Sequence, residues 1–107
     1  MQRIAQIIRV KLEAIDEYER IHQAVWPEVL ATIAACHIRN YSIFRLGTIL
    51  FAYFEYHGTD YAADMARMAA DPKTQEWWKI TDPMQEPIPE HAPNEWWTPA
   101  REVFQVD

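Results

Sequence analysis

Residues 38–56 read IRNYSIFRLGTILFAYFEY. Successive strand side chains point to opposite faces, so Ile38 to Leu46 places Tyr41 and Ile43 on one face and Asn40, Ser42 and Phe44 on the other. Gly47-Thr48 marks a tight turn, and Ile49 to Tyr56 supplies a second strand, which makes a β-hairpin. This second strand is apolar on both faces. One layer of helices covers only one of them, and a second copy of the chain is the simplest cover for the other.

Outward from the hairpin, Ile4 to Val10 reads as a strand and Glu13 to Ala24 as a helix. Pro27 interrupts that pattern and pushes Trp26 toward extended geometry, but proline is accepted in a first helical turn, so a second helix opens there and runs to Cys36. On the other side, the HGTD run supplies a turn and an N-cap for a helix over Tyr61 to Ala70. Asp71-Pro72 restarts a short helix through Trp77-Trp78 to about Ile80. From Asp82 to Pro99 come five prolines and no periodicity, a loop of the length that in small domains is often a functional lid. Arg101 to Val106 alternates as a last strand. The order predicts an α+β fold, a ferredoxin-like split βαββαβ sandwich whose antiparallel sheet carries helices on one face and dimerises through the other.

With 107 residues the chain makes one domain, residues 1–107, and with half of them apolar it has a core to bury. The formal net charge of −6, with ten basic residues scattered singly, argues against nucleic acid. No apolar run approaches a membrane span, and MQRIAQIIRV lacks a signal peptide's apolar region and cleavage site. The one cysteine, Cys36, suits a reducing compartment, so a cytoplasmic location is expected. Five Trp, five Tyr and four Phe are a heavy aromatic load, more than a core of this size needs, and such an excess often lines a pocket or an interface.

Candidate site residues begin with Tyr18-x-x-x-His22-x-x-x-Trp26, whose spacing stacks three side chains on one helix face with Ile15, Val25, Val29 and Ile33. Histidine both gives and takes protons near neutrality, and a tyrosine one turn away can orient it or donate to a substrate oxygen. The bland reading is a core histidine satisfied by a backbone carbonyl. Trp77 and Trp78 point about 100° apart on a helix, so one packs while the other can stack on a ligand such as the C–H face of a sugar; one core and one surface indole is the plainer account. Tyr41 offers a strand hydroxyl. His22, His37, His57 and His91 show no metal-ligand spacing, no nucleotide-binding or nucleophile motif is present, and Cys36 reads as a small buried hydrophobe.

Taken together, YERIHQAVWPEV, NYSIF, LFAYFE, EWWKITDPM and EVFQVD resemble the L-rhamnose mutarotase family, in matching order over nearly the whole chain. That resemblance implies a dimeric ferredoxin-like fold without metal or other cofactor, and interconversion of the α and β anomers of a 6-deoxy-L-hexose, L-rhamnose or L-fucose. It implies His22 as the catalytic proton donor, with Tyr18 (which also assists catalysis), Tyr41, Trp77 and Trp78 binding the sugar. The chain departs from the family pattern in two places. His37-Ile38 stands where a glycine-containing turn is usual, and PIPEHAPNEWW replaces a shorter loop.

On this reading His22 protonates the ring oxygen while Tyr18 assists at the anomeric or a neighbouring hydroxyl. Trp77 or Trp78 stacks on the sugar and Tyr41 holds a hydroxyl. Two other classes share the fold plan: a ferredoxin-like monooxygenase or haem-handling domain with His22 as axial ligand, and a non-catalytic sugar-binding module.

Overall fold

The computed structural model describes residues 1–107. Its sheet is built outward from β1 (Gln2–Val10), which pairs antiparallel with β3 (Ile49–Tyr56) from Gln2 opposite Tyr56 to Arg9 opposite Ile49. β3 pairs in turn with β2 (Ile38–Leu46), so the expected hairpin forms with the expected bounds. Its turn places Gly47 at φ 60, a left-handed conformation that glycine enters without a Cβ penalty. One irregularity re-aims β2. Arg39 lies opposite Glu55 and Ser42 opposite Tyr53, so Asn40 and Tyr41 share one partner position and Asn40 sits at φ 52.

Four helices cover one face: α1 (Ile15–Ile21), α2 (Pro27–Ala35), α3 (Tyr61–Ala70) and α4 (Pro72–Thr81). Asp60 and Asp71 cap α3 and α4, accepting from the Ala63 and Thr74 amides at 3.1 and 2.9 Å. The expected helix over Glu13 to Ala24 is broken. Only Ile15–Ile21 is α-helical, between 3₁₀ turns at Leu12–Ala14 and His22–Ala24. The backbone tightens there and then extends at Val25 and Trp26, the geometry the following Pro27 demands.

The expected last strand over Arg101 to Val106 is not formed; those residues are exposed and irregular. The free edge of β1 is taken instead by two short pieces, β4 (Gln85–Glu86) opposite Arg9 and Val10, and β5 (Thr98–Ala100) opposite Ala5 to Ile7. Continued past Ala100, this register reaches the start of β1 within three residues, and the alternating tail runs out of strand to pair with. The proline-rich stretch is likewise more regular than its composition implies, with a 3₁₀ turn at Asp82–Met84 and only residues 87–97 outside any element.

Side-chain parity assigns the two sheet faces. Under the helices lie two core clusters, one of Ile8, Val10, Tyr18 and Leu50, the other of Cys36, Ile38, Phe54 and Met68. Each fully buried aliphatic side chain contributes roughly 1.5–3 kcal/mol. Between the clusters the sheet offers only Ala52, opposite Gln6 and Ile43. On the outer face Ile7, Phe44 and Phe51 stand in one row, and Leu46 and Ile49 in the next. Phe44 and Leu46 keep 65% and 73% of their surface exposed.

Candidate active site

α1 carries Tyr18 and His22 one turn apart, and their rings stack with centroids 4.1 Å apart. The Nδ1 of His22 lies 2.6 Å from the Tyr18 carbonyl oxygen. A carbonyl only accepts, so Nδ1 carries the hydrogen and donates it. Nε2 makes no hydrogen bond within the protein. Burial lowers the pKa of His22 below the ordinary 6.5, and the bond to the Tyr18 carbonyl opposes that only in part. The ring is therefore neutral at pH 7, with a basic nitrogen uncommitted.

Around this pair the aromatic residues converge. Trp77 of α4 meets His22 edge-on at 5.4 Å and Trp26 at 5.2 Å. Trp26 thus reaches the cluster although Pro27 ends the helical pattern before it. Of the adjacent indoles, Trp77 is 7% exposed and Trp78 37%. Trp77 belongs to the His22 cluster, while Trp78 turns outward and joins none of its ring contacts. Tyr41, following the β2 irregularity, packs on Phe54 at 5.3 Å. Its ring keeps 38% exposure, yet burial at the hydroxyl end, then Tyr61, raises its pKa to about 12.

Tyr18 itself is buried in the first core cluster. Burial, then the neighbouring Tyr41 phenol, push its pKa far above the usual value; a hydrogen bond from Gln85 opposes them. Both phenols remain protonated donors at any physiological pH. Tyr18 and His22 line a cavity of about 490 Å³ together with Glu19, Gln23, Ile43, Phe44, Arg45 and Leu50, a size within the ~300–1,000 Å³ common for small-molecule sites. Arg45 and Glu19 pair closely with each other on its wall. The cavity thus joins α1 to the edge strand, with an aromatic floor and a polar rim.

Several residues at the site carried no readable signal. Gln85, Trp96 and Trp97 come from the proline-rich segment: Gln85 and Trp96 hydrogen-bond toward Tyr18, and Trp97 packs on the Tyr18 cluster. The one hint in the sequence is the Trp96-Trp97 doublet, a second pair of indoles of the kind that can stack on a ligand. Arg45 and Glu19 look like ordinary surface charges until the hairpin and α1 are brought together.

A family model for L-rhamnose mutarotase matches residues 3–106. An L-fucose mutarotase of Xanthomonas campestris is 37% identical, over 99% of this chain and 89% of its own. An L-rhamnose mutarotase of Oceanobacillus iheyensis is 32% identical over the full length of both chains. The crystal structure of an L-rhamnose mutarotase from Formosa agariphila superposes over the whole of both chains with a TM-score of 0.78 at 22% identity, a likeness of fold.

Proposed function

Since the chain belongs to the L-rhamnose mutarotase family, and is thereby an isomerase acting on sugars, we propose that it interconverts the α and β anomers of a 6-deoxy-L-hexose, L-rhamnose or L-fucose, in the cavity beside Tyr18 and His22. One observation carries this reading beyond family: a histidine on the cavity wall whose Nδ1 is fixed as a donor and whose Nε2 is unpartnered. Mutarotation asks for the O1 proton to be removed and the ring oxygen to be protonated. Both oxygens are bonded to the anomeric carbon, so one nitrogen can serve them in turn. Neutral Nε2 takes the O1 proton as the C1–ring oxygen bond breaks and the C1=O1 bond forms. The imidazolium then gives its proton to the ring oxygen. Rotation about C1–C2 and reversal of the steps on the other carbonyl face return the opposite anomer.

In this reading Tyr18 donates to the anomeric or a neighbouring hydroxyl, and Tyr41 holds a further hydroxyl. Trp77 closes the floor behind His22, and Trp78 offers its exposed ring to the apolar sugar face. Relatives named for either sugar support the substrate class, and neither the haem-handling nor the non-catalytic alternative gains support from them.

The outer rows, in which Phe44, Leu46 and Phe51 are exposed beside half-buried Ile7 and Ile49, support a homodimer joined through the sheet. No helix is long and apolar enough to cross a membrane. The buried free thiol of Cys36 supports a cytoplasmic setting.

The test is saturation transfer between the α and β anomeric proton resonances, run with L-rhamnose and L-fucose in parallel. Enzyme-dependent exchange is expected, and the faster sugar is the substrate. Folded protein that accelerates neither sugar would remove this proposal.

A further inference from the structure

Gln85 is a buried polar side chain, 5% exposed, in a short strand otherwise unremarkable in sequence. Its pairing with Val10 of β1 delivers it beneath α1. Both ends of its carboxamide are engaged. Nε2 donates to the Tyr18 hydroxyl oxygen at 3.0 Å, and Oε1 accepts from the Trp96 indole at 3.2 Å. Chemistry fixes which end of the amide faces which partner. An indole N–H only donates, so the oxygen must face Trp96 and the NH₂ must face Tyr18. Tyr18 therefore receives a hydrogen bond from Gln85 and keeps its own hydrogen unspent, on a residue that lines the cavity.

We propose that Gln85 is a positioning residue of the mutarotase reaction, oriented by Trp96, which fixes Tyr18 as a hydrogen-bond donor toward the sugar. The proposal rests on the role given to Tyr18 above. Donation into a phenol oxygen also polarises its O–H, so the same contact that directs the hydrogen strengthens it as a donor. Without Gln85's amide, the buried phenol would turn its hydrogen to whatever acceptor lay behind it. The proline-rich segment would then be part of the site's wiring, since one tryptophan of that segment sets the direction of the whole chain of bonds.

Gln85→Glu tests this because it keeps the shape and the acceptor for Trp96 while reversing the bond to Tyr18. An ionised carboxylate only accepts, so Tyr18 must donate to it and is lost to the sugar. Exchange at neutral pH is expected to fall about 10-fold, the rate equivalent of one hydrogen bond. On protonation the introduced carboxyl can donate again, so the ratio of wild-type to variant rate should shrink as pH falls. In a Tyr18→Phe background, Gln85→Glu should cost nothing further. Should the buried charge prevent folding, Gln85→Leu enters the same comparison, with loss expected beside Tyr18 and none beside the phenylalanine.

A folded Gln85 variant that exchanges at the wild-type rate, or that loses as much in the Tyr18→Phe background, would overturn the role of Gln85. Wild-type exchange in Tyr18→Phe itself would instead overturn the reading of Tyr18, on which this one depends.

Discussion

His22 and His37 both hold a ring nitrogen against an oxygen, and the two sites are otherwise opposites. His22 is half-buried among Tyr18 and Trp77, gives Nδ1–H to a backbone carbonyl, and leaves Nε2 free beside a cavity. His37 is exposed, and its Nδ1 lies 3.0 Å from Asp64 Oδ2. Asp64 also accepts from the Tyr56 hydroxyl at 2.5 Å and pairs with Arg67 at 3.2 Å. Arg67 reaches on to the Ala35 carbonyl. At one end of the helix layer a histidine keeps an unused proton site in apolar surroundings. At the other, Asp64 gathers the His37 ring, the Tyr56 hydroxyl and Arg67, and the network ties α3 to β3 and to the end of α2. On the proposed function, the contrast separates a histidine kept for chemistry from one kept for geometry, a distinction that residue type alone does not make.

The largest break in this comparison is expected from paired truncations. His22→Ala should slow anomer exchange by about 10²–10⁴-fold, the usual worth of general acid–base help. His37→Ala should leave exchange within about two-fold, because no proton on its network faces the cavity, and surface changes of this kind leave activity to the site residues. Saturation-transfer rates on both variants, with near-UV circular dichroism to confirm folding, decide it. Equal losses would dissolve the distinction.

The pH dependence should separate the same two regions. The folded pKa of His22 is lowered from 6.5 by burial, so Nε2 is free at neutrality. kcat/KM should hold level there and fall as pH drops, with a midpoint on the acid side of 6.5. Stability moves the same way in that window, because the unfolded chain binds the proton more readily than the folded one. Asp64 is held below its ordinary 3.8 by the Tyr56 hydroxyl first and His37 second. Its contribution is present above that value and lost as pH falls through the depressed one. Exchange rates and thermal midpoints measured from pH 7 to pH 3 should therefore show activity failing first and the Asp64 network later. Asp64→Asn should lower Tm and remove the later acid step, with exchange per folded molecule unchanged.

Much of this contrast was legible from the chain. The i, i+4 spacing of Tyr18 and His22 placed both on one helical face, and periodicity gave β2, β3 and α3 their full extent. What could not be read depends on partners distant in sequence. Arg101–Val106 alternates as well as any strand, but a strand needs an edge, and past Ala100 the β5 register leaves only the three residues at the start of β1. Gln85 reaches Tyr18 only because two residues of β1 fix where it lands. Trp26 shows the converse: the proline rule forecast its extended backbone correctly, and tertiary packing still carried it to Trp77.

The finest test concerns the backbone at His37. It stands just past α2 at φ 66, where its amide donates to the Ala34 carbonyl at 3.0 Å and its own carbonyl accepts from His57 at 2.8 Å. A residue with a Cβ in this left-handed position costs roughly 1–2 kcal/mol relative to glycine. The Asp64 contact offsets part of that cost. His37→Gly therefore exchanges a strained backbone held by a side chain for an unstrained one without it, and should change unfolding free energy by less than about 1 kcal/mol. His37→Val keeps the strain, adds a branched Cβ and removes the tether, so it should destabilise by at least about 1 kcal/mol. Urea unfolding of both variants measures the difference. If valine were tolerated as well as glycine, the Asp64 network would not be what holds this turn, and His37 would be as incidental to the fold as it is to the cavity.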